Sequence, residues 1–406
     1  MEVREHFYAD DPSRGPADGR TRLGGADYFF LGNGLIQAAV QVTAAPGATP
    51  VGLLVMDPER LGPKRAALTF DDGSGLARTA VSLVDRGRVR AASGPSVRAR
   101  WLPGSVDPRV EIDWRSGGLR VKELFFAPDP RSARLLRRVT VARSGPGPSR
   151  VRLETGANDR TVATEMAIGP GRPRSVTVEY RLVRPARGRP SVALRFVDDP
   201  GDETPAAEFW AGTAAFRSSD PLLDRFFAAA KFQLRAAVSA SGRLDGGVWQ
   251  YNLEWVRDQA FIAQALAMSG ESALARTMFA RLLDDFVDGR GATMDSSRFR
   301  PWRESEFDQN GILLFALASY LDWTGDRDLV ESRWAKIEKA AAFPLRPAFR
   351  HGPSGLLVNR REYWERHGAH GLRDGMELAH ELFVALGLEA AGRVARRLGR
   401  TRRAEQ

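Results

Sequence analysis

The hydrophobic period of this chain changes once, near residue 200, and that change constrains the fold more than any other feature. Up to about residue 205, short runs rich in β-branched and aromatic residues alternate with clusters of Gly, Pro, Asp and Ser. Runs at 28–32, 35–43, 51–56, 110–114, 119–126, 135–141, 151–154, 176–182 and 192–197 read as strands. Val192, Leu194 and Phe196 fall on one face and Ala193, Arg195 and Val197 on the other, the two-residue period of a half-buried antiparallel strand. Roughly a dozen such strands without intervening helices imply two packed sheets, an antiparallel β-sandwich.

After the linker-like Asp198-Asp199-Pro200-Gly201-Asp202 the period becomes helical. Ser218-Ser219-Asp220-Pro221 offers capping oxygens followed by a proline suited to a first helical turn, and Leu222, Phe226, Ala229 and Leu234 continue the stripe. Further helical patterns cover 255–269, 272–288, 308–323, 327–343, 373–387 and 388–400, with Gly270 and Gly325 placed where helix ends favour positive φ. Short connections make neighbouring helices antiparallel hairpins, while the longer segments 289–306 and 344–371 join one hairpin to the next. Functional residues are expected on that long-loop end. The chain thus divides into a β-sandwich domain, 1–205, and a helical-hairpin domain, 206–406.

Composition removes several function classes. The 406 residues are 43% hydrophobic and 27% charged, ordinary for a globular protein. The net charge of +10 comes almost entirely from arginine, which is spread along the chain among acids rather than gathered with aromatics as a nucleic-acid surface requires. The local excess at Arg393, Arg396, Arg397, Arg400, Arg402 and Arg403 reads as a solvated helix face with a frayed end. Without cysteine there are no disulfides, thiolate nucleophiles or thiolate metal sites. The charged start lacks the apolar core of a signal peptide, and the longest apolar run, 312–321, is too short for a bilayer. A soluble cytoplasmic protein is the expectation. Asp71-Asp72-Gly73-Ser74-Gly75 reads as a turn, lacking the later glutamate of a calcium loop. There is neither a phosphate-cradling glycine loop nor a nucleophile-elbow serine.

Three clusters carry chemistry: Trp255-Val256-Arg257-Asp258, Asp308-Gln309-Asn310-Gly311 and Tyr363-Trp364-Glu365-Arg366. Rings can stack on the apolar face of a pyranose while the charged groups grip hydroxyls or move protons. Trp249, Tyr251 and Trp255 crowd the approach to Arg257 and Asp258, which helix capping by Asp258 alone does not require. Capping accounts for Asp308 as well as substrate contact does. Trp302 and Trp323 read as packing residues, with Trp302 also able to stack on sugar from its long loop. His367, His370 and His380 lie near the Glu365 loop, but without a matching acidic pair no metal site is expected, and no cofactor is called for.

A β-sandwich followed by helical hairpins, with Trp255-x-Arg257-Asp258, Asp308-Gln309-Asn310-Gly311 and Tyr363-Trp364-Glu365, resembles the six-hairpin glycosidases, most nearly the glucoamylases. The resemblance covers about 210–400 and implies an α/α helical-hairpin toroid, here a partial (α/α)6 barrel. It implies that Arg257 and Asp258 bind the sugar, that Glu365 is the general acid, and that Asp308, Gln309 and Asn310 line the pocket. Trp255, Trp364 and Tyr251 would supply stacking rings. About seven helical patterns stand against the family's twelve, so the chain resembles a C-terminally truncated member, and no position here inherits the general base. The function implied is inverting cleavage of α-glucosidic bonds, with two carboxyl groups about 6.5–9.5 Å apart across the bond and Trp364 keeping Glu365 protonated. A disaccharide phosphorylase of the same fold, with Arg361 or Arg366 toward phosphate, is the alternative within the class. A truncated, non-catalytic carbohydrate-binding protein is the alternative outside it.

Overall fold

The computed structural model describes residues 26–43, 50–60, 77–85, 88–91, 96–102, 104–144, 149–157, 160–188, 190–247, 253–358 and 376–405. Thirteen described strands form two sheets. The seven-stranded sheet runs β1 (Ala26–Gly32), β2 (Gln37–Thr43), β3 (Val51–Met56), β4 (Ala77–Asp85), β10 (Ser149–Ala157), β11 (Arg160–Ile168), with β5 (Arg88–Ala91) also on β4. The six-stranded sheet runs β13 (Ser191–Val197), β12 (Arg174–Val183), β9 (Arg134–Arg143), β8 (Leu119–Phe126), β7 (Arg109–Ser116), β6 (Ser96–Trp101). Every described strand pairing is antiparallel.

Alternation decides which side chains meet between the sheets. Val40, Leu53, Val151 and Leu153 of one sheet and Ile112, Val121, Val139 and Tyr180 of the other belong to a single buried cluster. Val192 is buried in the same core and Leu194 and Phe196 pack against it, the face expected for that strand. Strands β4, β5, β6 and β11 were absent from the expected set. In β6 the half-buried Val97, Ala99 and Trp101 alternate with exposed Ser96, Arg98 and Arg100, and in β11 most side chains are exposed or half-buried. Both close the edge of their sheet, where one flank of the backbone lacks a strand partner and the side chains stay polar.

One buried polar group in the core is a chain of three side chains. Trp114 donates to Glu123 Oε1 at 2.8 Å, and Arg137 donates to Glu123 Oε2 from Nε at 2.7 Å and from Nη2 at 2.6 Å. Each charge is 1% exposed and stands against the other inside the sandwich.

β13 ends at Val197, and α1 (Thr204–Ala211) and α2 (Pro221–Ala237) follow. Asp220 caps α2, accepting from the Leu222 N–H at 2.8 Å, and Pro221 takes the first helical position. Compact grouping divides the described chain after Ala240: α1 and α2 belong with the sheets, and residues 241–247 with 253–405 form the helical unit.

The helical unit contains α3 (Val256–Met268), α4 (Ser272–Asp285), α5 (Phe307–Thr324), α6 (Arg327–Ser332), α7 (Trp334–Ala342), α8 (Leu378–Arg397) and α9 (Thr401–Glu405). Helix α5 packs on both α3 and α8, and α3 packs on α4. Gly270 and Gly325 take φ of +89° and +69° just past α3 and α5. Two boundaries differ from expectation. The helix expected over 327–343 is two, divided at Arg333, where the Ser332 hydroxyl turns back to the Asp328 and Leu329 carbonyls at 2.6 and 3.0 Å. The pair expected over 373–387 and 388–400 is the single helix α8, with Gly387 inside it because the α5 backbone lies against that position.

Three of the terminal arginines have partners on neighbouring helices. Arg397 pairs with Asp322, Arg403 with Glu338 at 3.0 Å, and Arg400 lies 5.1 Å from the centre of the Trp334 ring. Trp302 packs on Phe349 with ring centres 5.3 Å apart, whereas Trp323, expected to pack, is 60% exposed on the last turn of α5. Among the described residues no helix is long and apolar enough to cross a membrane.

Candidate active site

The first turns of α3 and α5 bring the first two sequence clusters together within the helical unit. Trp255 is the N-cap residue of α3 and offers no side-chain cap, so the first amides of the helix need acceptors from elsewhere. Gln309, in the first turn of α5, supplies one: its Oε1 accepts from the Val256 N–H at 3.1 Å. The Gln309 amide donates in turn to Glu306 Oε2 at 3.0 Å.

Arg257 is the centre of the arrangement. Its Nε donates to Asp308 Oδ2 at 2.9 Å and its Nη2 to Glu306 Oε2 at 2.8 Å. Asp308 has no exposed surface and Glu306 almost none, while the Arg257 side chain keeps 16%. Trp255, Arg257 and Asp258 are all half-buried, so this one helix start presents a ring, a guanidinium and a carboxyl partly to solvent. Burial pushes the Asp258 carboxyl above the usual carboxylate range; the charge on Asp308 adds to the rise and Arg257 opposes it. Burial likewise raises Asp308 against the pull of Arg257. A carboxyl group beside a fixed guanidinium gives neighbouring hydroxyls an acceptor and a donor side by side.

Four consecutive residues of α5 take four separate tasks. Asp308 holds Arg257, and Gln309 caps α3. The Asn310 amide donates to the Gly291 and Ala340 carbonyls at 2.8 and 2.9 Å, pinning the 286–306 segment to the end of α7. Gly311 leaves room for α8, since a Cβ there would lie 1.9 Å from the Phe383 carbonyl oxygen.

A second buried network supports the same helix start, and its members belong to none of the three sequence clusters. Glu254 accepts from both terminal nitrogens of Arg281 at 2.6 and 2.8 Å and from the Gln259 amide at 3.0 Å. The Glu254 N–H donates to Ser297 Oγ at 2.9 Å and the Ser297 N–H returns to the Glu254 carbonyl at 2.8 Å. Ser296 and Ser297 adopt φ of +50° and +59°, a strained pair of non-glycine residues. Next to them Asp295 accepts from Arg300 Nε and from Ser296 Oγ at 2.8 and 2.7 Å. The available signal was position alone: Glu254 directly precedes a helix start, and Glu306 precedes the Asp308 cluster.

His380, in the first turn of α8, is fully buried with its ring edge-on to Phe307 at 5.6 Å. Among the described residues no group of three or more His, Asp or Glu side chains is placed to hold a metal. The expected general acid, Glu365, and its neighbours Tyr363, Trp364 and Arg366 lie outside the described residues, as do Trp249, Tyr251, Arg361, His367 and His370.

No family model matches the chain, and no curated protein matches it in sequence. Solved structures do match its fold. A bacterial glucoamylase crystallised with acarbose aligns over 95% of this chain and 67% of its own, with a TM-score of 0.51 at 10% identity. A human-microbiome protein assigned as a kojibiose phosphorylase aligns over 93% of this chain and 66% of its own, with a TM-score of 0.50 at 8% identity. The chain therefore spans about two thirds of the length of these proteins. An antiparallel sheet domain followed by a helical region is the fold that this chain shares with those two structures.

Proposed function

We propose that this chain processes α-glucosidic bonds of an oligosaccharide in a site built on the first turns of α3 and α5. The observation that carries this reading is Arg257 and Asp258, side by side and half-exposed, with the guanidinium fixed by Glu306 and Asp308. A fixed guanidinium next to a carboxyl engages vicinal hydroxyls through paired, charge-assisted bonds. Trp255 supplies a stacking surface, with Tyr251 and Trp364 as further rings. Asp308 and Gln309 complete the lining by setting the position of the groups in front of them. Glu365 is the proton donor, and the helical unit is part of an (α/α)6 toroid.

The fold likeness to a glucoamylase bound to acarbose supports hydrolysis by inversion, and the likeness to the assigned kojibiose phosphorylase supports phosphorolysis as the second reading. The test is turnover of maltooligosaccharides with and without inorganic phosphate. Release of glucose without phosphate, lowered by about 10²–10⁴-fold in Glu365→Gln, is the expected result. Phosphate-dependent release of a sugar phosphate selects the phosphorylase. Saturable sugar binding without turnover of any α-glucoside would make the chain a carbohydrate-binding protein and end the catalytic reading.

A further inference from the structure

The buried end of the cluster holds polar atoms without a hydrogen bond among the described residues, on two side chains that face each other. Asp308 Oδ1 and both ring nitrogens of His380 make no hydrogen bond among the described residues, and both side chains are wholly buried. His380 Nε2 lies 3.7 Å from Asp308 Oδ1, so roughly 0.8 Å of approach gives an ordinary N–H···O bond. The other oxygen of the same carboxylate holds Arg257 Nε.

We propose that His380 is a positioning residue: its Nε2–H donates to Asp308 Oδ1, and the carboxylate, held from both sides, fixes the Arg257 guanidinium for ligand. The importance assigned to Arg257 rests on the reading of the site as a sugar site. The arrangement of the helices supports the contact independently. A Cβ on Gly311 would lie 1.9 Å from the Phe383 carbonyl oxygen and one on Gly387 would lie 2.5 Å from Gly311 Cα. With no side chain at either position, the α8 backbone comes directly against α5, which brings His380 to the turn carrying Asp308. Burial drives the His380 pKa down to about 4, Glu377 and Glu381 opposing and Arg257 reinforcing that shift. Facing Asp308 and Arg257 from the neighbouring helices, the ring is therefore a neutral donor rather than an ion-pair partner near pH 7. A neutral imidazole has one N–H, and the position of Asp308 selects the Nε2 tautomer.

Three measurements on the full chain test this. Nitrogen-15 NMR of the His380 ring in the wild-type protein should show a neutral Nε2–H tautomer unchanged between pH 5.5 and 8 (about one unit or more above its folded pKa). An Nδ1–H tautomer or titration near the ordinary histidine value overturns the proposal. Hydrogen exchange of the Arg257 Nε–H should quicken by about tenfold or more in His380→Phe and stay near wild type in His380→Gln, whose amide places a donor at the same reach. Equal exchange in wild type and His380→Phe, or equal acceleration in both variants, overturns it. If His380→Phe does not fold, the tautomer and the Gln variant decide. Acarbose affinity is the third readout, expected to weaken about tenfold in His380→Phe and to recover in His380→Gln. A wild-type chain that ignores acarbose and other oligosaccharides ends the sugar reading, while the tautomer and exchange results still decide the role of His380.

Discussion

Arg257 Nε and Asp308 Oδ2 meet at 2.9 Å across the first turns of two helices, joining residues 51 positions apart in the sequence. Glu306 takes the other side of the guanidinium, so one half-buried cation balances two buried carboxylates. Removing the cation takes the hydrogen-bonded counter-charge from Asp308 and one of its partners from Glu306. Arg257→Leu is expected to cost about 3–5 kcal/mol in urea unfolding, the usual penalty for breaking a buried ion pair by removing one member. Arg257→Lys should fall between, since an ammonium keeps the charge but loses the planar fork. Wild-type stability in Arg257→Leu would show that Glu306 and Asp308 do not depend on it.

Gly311→Ala and Gly387→Ala set two effects against each other. Alanine in a helix interior is favoured over glycine by about 1 kcal/mol. Here the added Cβ would meet backbone at 1.9 Å from Phe383 O or 2.5 Å from Gly311 Cα, and backbone yields only if the helices part. Each variant is expected to lose at least about 3 kcal/mol, read as a fall in melting temperature of roughly 6–12 °C. A rise in melting temperature for either would show that α5 and α8 do not touch there.

His380 makes stability depend on pH with a definite sign. Its folded pKa is lowered to about 4 from an ordinary 6.5, so the unfolded chain binds the proton more tightly. The contribution is complete above about pH 7 and is lost as pH falls through 4, in total about 3 kcal/mol. Asp258 and Asp308, raised instead, contribute most below the ordinary carboxylate pKa and lose that contribution as pH rises through their folded values. The measurement is therefore a difference: urea unfolding of wild type against His380→Gln between pH 4.5 and 7.5 (a window of about three units chosen around these values). The wild-type curve should fall more steeply toward acid, and parallel curves would remove His380 from the linkage.

Within the sandwich, Glu123 and Arg137 form a pair that is costly to break and cheap to replace. Glu123→Gln leaves Trp114 with an acceptor but Arg137 without its counter-charge, and should cost about 3–5 kcal/mol. Adding Arg137→Met should recover most of that loss, because a buried charge then disappears rather than standing alone. Denaturant midpoints of the single and double variants give the comparison, and additive losses would refute it.

How far the site was legible depended on how local each signal was. Asp220 with Pro221, Gly270 and Gly325 each act within a few residues, and each stands where its chemistry places it. The Asp308-Gln309-Asn310-Gly311 run was visible as a helix start, but its four tasks were not, because every partner except Glu306 lies on another element. Glu254 and Arg281 were silent for the same reason: 27 residues separate two groups that form a bidentate pair. Edge strand β6 alternates half-buried Val97, Ala99 and Trp101 with exposed Ser96, Arg98 and Arg100, and with no fully buried residue its apolar signal is weak.

The sequence by itself determined the order of the architecture, strands and then helices, because hydrophobic period and turn chemistry act over a few residues. It also marked Arg257 and Asp258 as the start of a helix bearing an uncommon concentration of aromatic neighbours. Only the tertiary structure decided that Asp308 faces Arg257 on one side and His380 on the other. That arrangement follows from two glycines that let helices α5 and α8 touch, a relation between residues 76 positions apart (Gly311 and Gly387) that no local pattern records.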